Sequence, residues 1–529
     1  MQAIAILTVL CLIAGLPAAG LALTHEQWRE DVDFACREMP KRHANLFHTL
    51  SPQEYQTACD RLRAEPAGTA EHRRVLALAA LVARVGDGHT RLTLPMDPSA
   101  GLFLSHTATV QPEVAHFGHL PVRFEVLADG WLVVRATGEH RALLGSSVER
   151  IGGRPIEEVA RALEPIVQRD NAAQVTNLLP MFAVVPEVLE ARGVFATTQA
   201  AVLTVRHADG RTQDVEVRPV PPHTDPEWVD LVPDHGLPLH RGHPERNYWF
   251  TSLPGSRTMY FRFAEVIEQP HETIADFSRR LFQEIEDQGS ERLVIDLRGN
   301  PGGNNDFNTP IVLGVIRAVR LWRPGGLFVI TDHGTFSAAM NLANDLERWT
   351  PAVFAGSATG ARPNSYGDAR KLELPNSHLT VRLSSLYWQD SSPLDERDAI
   401  TPILPVVATM ADRRAGRDPV IEAILAFDAP AGAVHGAWRG ELAAGYLRTP
   451  LSMRIAASER DLSASVDMPV LGVNAAPLSA LEQRGVDLSG LLMIGKRRVP
   501  FAARVAGTQM AGWFEYIGER YPFVARRVE

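Results

Sequence analysis

The chain has 529 residues, too long for one hydrophobic core, so three or four domains are expected. Charged residues make up 22% and hydrophobic residues 45%, the balance of a globular protein rather than a disordered one. A formal net charge of -9 is mild and acidic, which argues against nucleic acid as a partner.

The first 22 residues, MQAIAILTVLCLIAGLPAAGLA, form an apolar run that ends in small residues. They read as a signal peptide cleaved near Ala19 to Ala22, which implies a secreted or periplasmic protein. No Lys or Arg precedes the apolar run, so an uncleaved membrane anchor is the rival reading. After cleavage only Cys36 and Cys59 remain. They are either a disulfide, worth on the order of 3 kcal/mol for a loop of that size, or two buried thiols.

Residues 23–100 read as a helical unit. Trp28, Val32, Phe34, Met39, Leu46 and Phe47 recur at helical spacings, and so do Leu76, Leu78, Leu81 and Val82. The unit closes on VGDGHT, a helix stop followed by a polar loop that carries His89. By local sequence alone His89 is a surface loop residue.

Residues 101–225 alternate short strands and turns through Val122 to Val126, Trp131 to Val133 and LGSSVERIGGRPIEEVARAL. That last strand–glycine turn–helix resembles a PDZ-type domain. Residues 168–192 read as a helical insertion, and Val202 to Val217 as a hairpin around Asp209-Gly210. A Pro-, His- and Asp-rich stretch from 219 to 242 is a linker.

Residues 240–428 alternate strand and helix, which implies an α/β layer with a mostly parallel sheet. Two stretches stand out. In ERLVIDLRGNPGGNN a buried strand breaks at a glycine turn whose backbone amides can approach a ligand. In GGLFVITDHGTFSAAMNLANDL a second strand runs through a polar turn into Ser337, which opens a helix. A hydroxyl at a sheet edge beside free amides is what acyl transfer needs. Residues 432–529 change to short strand-like runs with turns at Gly472, Gly485, Gly507 and Gly512. They read as an all-β unit whose interior holds Trp438, Trp513, Phe514 and Phe523.

IDLRGNPGGN, GTFSAAMNLAND and AITPILPV resemble the serine peptidase family that includes the tail-specific (carboxy-terminal processing) proteases and tricorn protease. The resemblance spans about Thr258 to Leu425. It implies a multidomain α/β chain: an N-terminal helical unit, a PDZ-like segment, a crotonase-like peptidase core and a C-terminal all-β unit. Two positions of the last motif depart from the family pattern, at Ala399 and Ile403. The tail-specific branch uses a lysine base, but the similar loop here reads Thr359-Gly360-Ala361-Arg362, and arginine cannot act as a general base. The tricorn-like branch implies instead that Ser337 is the nucleophile, His89 the base and Glu396 the supporting carboxylate. Asp368, Asp395 and Asp398 are alternatives to Glu396. The implied oxyanion donors are the amides of Ala338 and of Gly302 or Gly303. That branch places a serine before the histidine, where this chain has Gly88.

The implied function is an exported serine peptidase acting on peptide or protein substrates, without cofactor or metal. Two other classes stay open: a non-catalytic peptide- or apolar-ligand-binding protein on the same scaffold, and an acyl-transforming enzyme with a crotonase-like core.

Overall fold

The computed structural model describes residues 23–96 and 117–528, apart from 222–223, 225, 323–324, 394, 428–433, 445–446, 458–461 and 485. The signal-peptide reading of residues 1–22 lies outside the described residues, as do residues 101–116 of the second unit.

Three helices, His25–Arg42, Pro52–Arg63 and Glu71–Ala83, form the N-terminal unit. The first two start in capping boxes, Thr24 with Gln27 and Ser51 with Glu54, which satisfy amides the helix leaves unpaired. Trp28, Val32 and Met39 face the core at the expected spacing. Phe47 does not belong to that stripe: it sits in the turn after the first helix and is 39% exposed. Cys36 and Cys59 are disulfide-bonded with their Cα atoms 6.2 Å apart, joining the first two helices.

The second unit is an antiparallel sheet of seven strands. Val122–Leu127, Gly130–Thr137, Ser147–Ile151, Ala201–Arg206 and Thr212–Val217 run side by side, and two short strands pair at Arg154–Pro155 and Trp228–Asp230. The expected insertion appears as helices Ala172–Phe182 and Pro186–Ala191. Packing does not break between the first two units. Leu78 and Val82 of the helices share one hydrophobic core with Val133 and Leu178 of the second unit, and with Leu372 and Val381 much further along.

The central sheet has six strands in the order Leu404–Pro405, Val353–Gly356, Leu327–Thr331, Arg292–Asp296, Thr258–Phe263 and Tyr248–Leu253. All neighbours are parallel except the last pair. Side chains alternate between two buried faces. Met259, Phe261, Leu293 and Ile295 pack under helices Ile274–Asp287, Thr309–Arg317 and Ala338–Trp349. Tyr260, Val294, Phe328 and Ile330 face helix Pro419–Leu425 on the other side. A long hairpin, Asn364–Glu373 with Thr380–Gln389, takes up part of the expected loop after Gly356. The two-residue strand Arg91–Leu92 adds to this hairpin, which ties the N-terminal unit to the core just after His89.

The C-terminal unit is a closed antiparallel barrel of eight strands, from Gly436–Ala444 to Glu519–Val528, with first and last paired. Trp438, Phe501, Phe514 and Phe523 fill it. Trp513 does not: alternation puts it on the outside, where the Arg520 guanidinium lies 4.2 Å from its ring centroid. Among the described residues no helix is long and apolar enough to cross a membrane.

Candidate active site

The parallel strands Arg292–Asp296 and Leu327–Thr331 end side by side, Asp296 opposite Ile330, so the two loops that follow them share one sheet edge. Hydrogen bonds knit these loops together. The Gly299 and Gly334 N–H groups donate to the same Asp332 carboxylate oxygen at 2.7 and 2.9 Å. Phe336 N–H donates to the Asn300 carbonyl at 3.0 Å, and Thr335 Oγ1–H to the Leu297 carbonyl at 3.0 Å. Beneath them Arg298 bridges the buried Asp296 to Asp418. Burial opposes the charge on both carboxylates, yet Arg298 holds both below the usual carboxylate range.

Ser337 sits where the second loop meets its helix, with φ 53° and ψ -127°. A non-glycine residue there is strained, by roughly 1–3 kcal/mol. Its hydroxyl makes no capping bond to the helix. Instead Oγ lies 3.0 Å from His89 Nε2. Gly302 makes this turn possible: a Cβ at that position would lie 2.6 Å from the Ser337 Cβ and 2.7 Å from the Ala338 nitrogen.

His89 is aimed through its own loop. The buried Asp87 accepts the N–H groups of His89 and Thr90 at 3.0 and 2.7 Å, and the Ser384 hydroxyl at 2.7 Å. Its other oxygen pairs with His43 Nε2 at 2.8 Å. Asn45 N–H donates to His43 Nδ1 at 3.0 Å, so the His43 proton is assigned to Nε2. Gly88 N–H donates to the buried Asp170 at 2.7 Å. The Phe336 ring stacks on the His89 imidazole with centroids 4.4 Å apart. Burial lowers the His89 pKa to about 4, against an opposing field from Asp87 and with a small further push from Arg91. At neutral pH the ring is therefore uncharged and able to accept a proton. Burial and the Asp87 charge push Asp170 up to about 7.

Packing leaves no room for a side chain at Gly88. A Cβ there would lie 2.5 Å from the Gln174 side chain and 2.7 Å from the Phe336 ring, so this chain fills with Gln174 and Phe336 the space a serine needs.

The three amides expected as oxyanion donors differ in whether they are free. Gly302 N–H is committed to the Asn300 side chain at 2.9 Å, which removes it as a donor. The Gly303 and Ala338 N–H groups have no partner among the described residues, and both residues line the cleft. The structure does not bring Glu396 to His89. Glu396 is exposed and makes no hydrogen bond or ion pair among the described residues. Asp395 is held by Ser391 and Arg397, and Asp398 by Arg362. Of these four carboxylates Asp368 alone lines the cleft, and its charge favours a protonated His89. No carboxylate among the described residues hydrogen-bonds to His89 Nδ1, which is buried.

The cleft is about 630 Å³ and is lined by His89, Arg91, Gly303, Ser337, Ala338 and Trp388 among others. None of its lining residues is a lysine. His43, His48 and Asp87 place ligand-type atoms within 4.8 Å of one another. The bonds from Asn45 and to Asp87 leave His43 Nε2 without a free lone pair, so this group acts as a protein hydrogen-bond network. Sequence reasoning missed Asp87 and Asp170. Asp87 stands in the VGDGHT loop, but its partners His43 and Ser384 lie 44 and 297 residues away, and only folding joins them.

No family model and no curated protein matches this chain. Solved structures do. Mature CPAF aligns over 76% of this chain and 96% of its own at 13% identity, with a TM-score of 0.53. Mature CPAF complexed with lactacystin aligns over 76% of this chain and 97% of its own, also at 13% identity and a TM-score of 0.53. The photosystem II D1 C-terminal processing protease covers 74% of this chain and 98% of its own at 14% identity, with a TM-score of only 0.34. The chain therefore has the fold of mature CPAF.

Proposed function

We propose that the protein is an exported serine peptidase that hydrolyses peptide bonds through an acyl-enzyme on Ser337. The observation that carries this reading is the 3.0 Å contact between Ser337 Oγ and His89 Nε2 at the end of a strained turn. His89 takes the hydroxyl proton as Oγ attacks the substrate carbonyl. The carbonyl oxygen becomes an oxyanion between the Gly303 and Ala338 amides, where one donor is worth on the order of 3 kcal/mol. The imidazolium returns its proton to the leaving amine. Water, deprotonated by the same ring, then releases the acyl group. Asp87 acts through the backbone of His89 and through its charge, and Asp368 through its charge alone. The disulfide between Cys36 and Cys59 supports export, since such bonds persist in oxidising compartments.

The test is covalent labelling of the purified protein with a fluorophosphonate probe, with lactacystin, the ligand of the CPAF complex, as a second probe. Ser337 is expected to carry the label, Ser337→Ala to lose it and His89→Ala to reduce it at least a hundredfold. Well-folded protein that takes no label and cleaves no peptide overturns the reading.

A further inference from the structure

Arg91 and Arg382 are direct cross-strand neighbours, and both line the cleft that holds Ser337 and His89. Neither guanidinium group makes a hydrogen bond or an ion pair among the described residues. Like charges set opposite each other across a strand pair are destabilising, so stability gives no reason for this arrangement. The acids nearby are engaged elsewhere or exposed. Asp87 is held by His43, Ser384, Thr90 and His89, and Asp368 accepts the Trp388 indole N–H at 2.6 Å. Asp306 lies on the exposed rim. On its other side Arg382 stands opposite Lys371, so three cations form one row across the sheet.

We propose that Arg91 and Arg382 form a subsite that binds one carboxylate of the substrate. This rests on the peptidase reading and names the chemistry that the same cleft selects. Two guanidinium groups offer planar paired donors that match a carboxylate, and a bound anion would relieve their mutual repulsion. Arg91 follows His89 by two residues, so their Cα atoms are within about 7 Å. The recognised carboxylate is therefore one to three residues from the bond that is cut. Burial lowers the Arg91 pKa to about 10, with Arg382 adding to the effect, so the group keeps its charge at neutral pH. A carboxylate seated there also cancels the positive field of Arg91 at the His89 ring. The carboxylate has two possible sources, an Asp or Glu side chain or the C-terminus of the substrate.

The experiment digests a proteome-derived peptide library with the full-length protein and reads the cleavage sites by mass spectrometry, with fluorophosphonate labelling of Ser337 run alongside. Wild-type protein is expected to enrich Asp and Glu at least tenfold at one position, or to cut at one fixed distance from free C-termini and not from amidated ones. Arg382→Gln and Arg91→Gln, checked for folding by circular dichroism, are expected to reduce either preference below twofold. Arg382→Glu is expected to favour Lys and Arg instead. Labelled, active wild-type protein that shows neither preference overturns the subsite and leaves the peptidase reading standing. If the protein neither labels nor cleaves, the peptidase reading fails. The subsite is then decided by polarisation binding of fluorescein-labelled pentapeptides, Glu against Gln and free against amidated C-terminus. Tenfold tighter binding of one carboxylate, lost in Arg382→Gln, supports it, and equal or absent binding across the set overturns it.

Discussion

Ser337 Oγ and His89 Nε2 lie 3.0 Å apart although 248 residues separate them in the chain. Two local devices create that contact: a serine forced to φ 53° and a histidine loop pinned through Asp87 and Asp170. The serine conformation has a measurable cost. Ser337→Gly, free of the Cβ penalty, is expected to raise the stability of the folded protein by about 1 kcal/mol while abolishing labelling. Thermal denaturation checks it, and a lowered melting temperature would show that the turn is not strained.

The acid limb of activity should lie far below the usual histidine range. The His89 ring protonates near 4 in the folded protein, so kcat/KM is expected to fall as pH drops through about 4 rather than 6.5. The same shift bears on stability. Between 6.5 and 4 the unfolded ring binds a proton and the folded ring does not, so His89 makes stability fall as pH falls across that window. Asp170 has the opposite sign. Its folded pKa of about 7 exceeds the ordinary carboxylate value, so its contribution to stability is lost as pH rises towards 7. Asp170→Asn is expected to flatten that part of the curve, read by denaturation at pH 5 and pH 8.

Gly88 sits in tight packing against Gln174 and Phe336. Gly88→Ser is expected to reduce labelling more than tenfold, because the new side chain meets Gln174 and Phe336. The double variant with Gln174→Ala should recover part of the loss, read as labelling rate. No recovery would place the clash on Phe336.

The Asn300 side chain anchors the glycine loop to the end of strand Thr258–Phe263. It accepts the Gly302 N–H and donates to the Phe263 carbonyl, both buried. Asn300→Ala leaves both partners unsatisfied and is expected to cost about 2–4 kcal/mol in urea unfolding. Labelling should slow as well, since Gly302 is no longer held against Ser337.

The bond between Cys36 and Cys59 closes a loop across 23 positions. Its removal, as Cys36→Ala with Cys59→Ala or by reduction, is expected to cost about 3 kcal/mol. Denaturation with and without dithiothreitol measures this, and an unchanged midpoint would mean that the thiols are unpaired.

Much of the frame is legible in residue order. Leu293 to Asp296 and Leu327 to Thr331 read as buried strands because parallel strands covered on both faces are apolar throughout. The helical insertion at 168–192 and the all-β C-terminal unit are legible by periodicity and turns. Less was visible where partners are remote. Glu396 follows from motif spacing, yet its loop turns the side chain outward. Trp513 is aromatic enough for a core, but strand alternation sends it outside the barrel. Gly302 reads as an oxyanion donor until Asn300 is seen to occupy its amide.

By itself the sequence determined the turn that carries Ser337, because strand, glycine and serine are contiguous and their geometry is local. Only the tertiary structure decided what faces that turn. His89, Asp87 and Arg91 lie hundreds of residues from Ser337 and Arg382, and the pairing of Arg91–Leu92 with Thr380–Gln389 joins the two segments. Local sequence does not encode such pairing, since the free energy that selects it comes from burying a core shared by the helices, the second sheet and the hairpin.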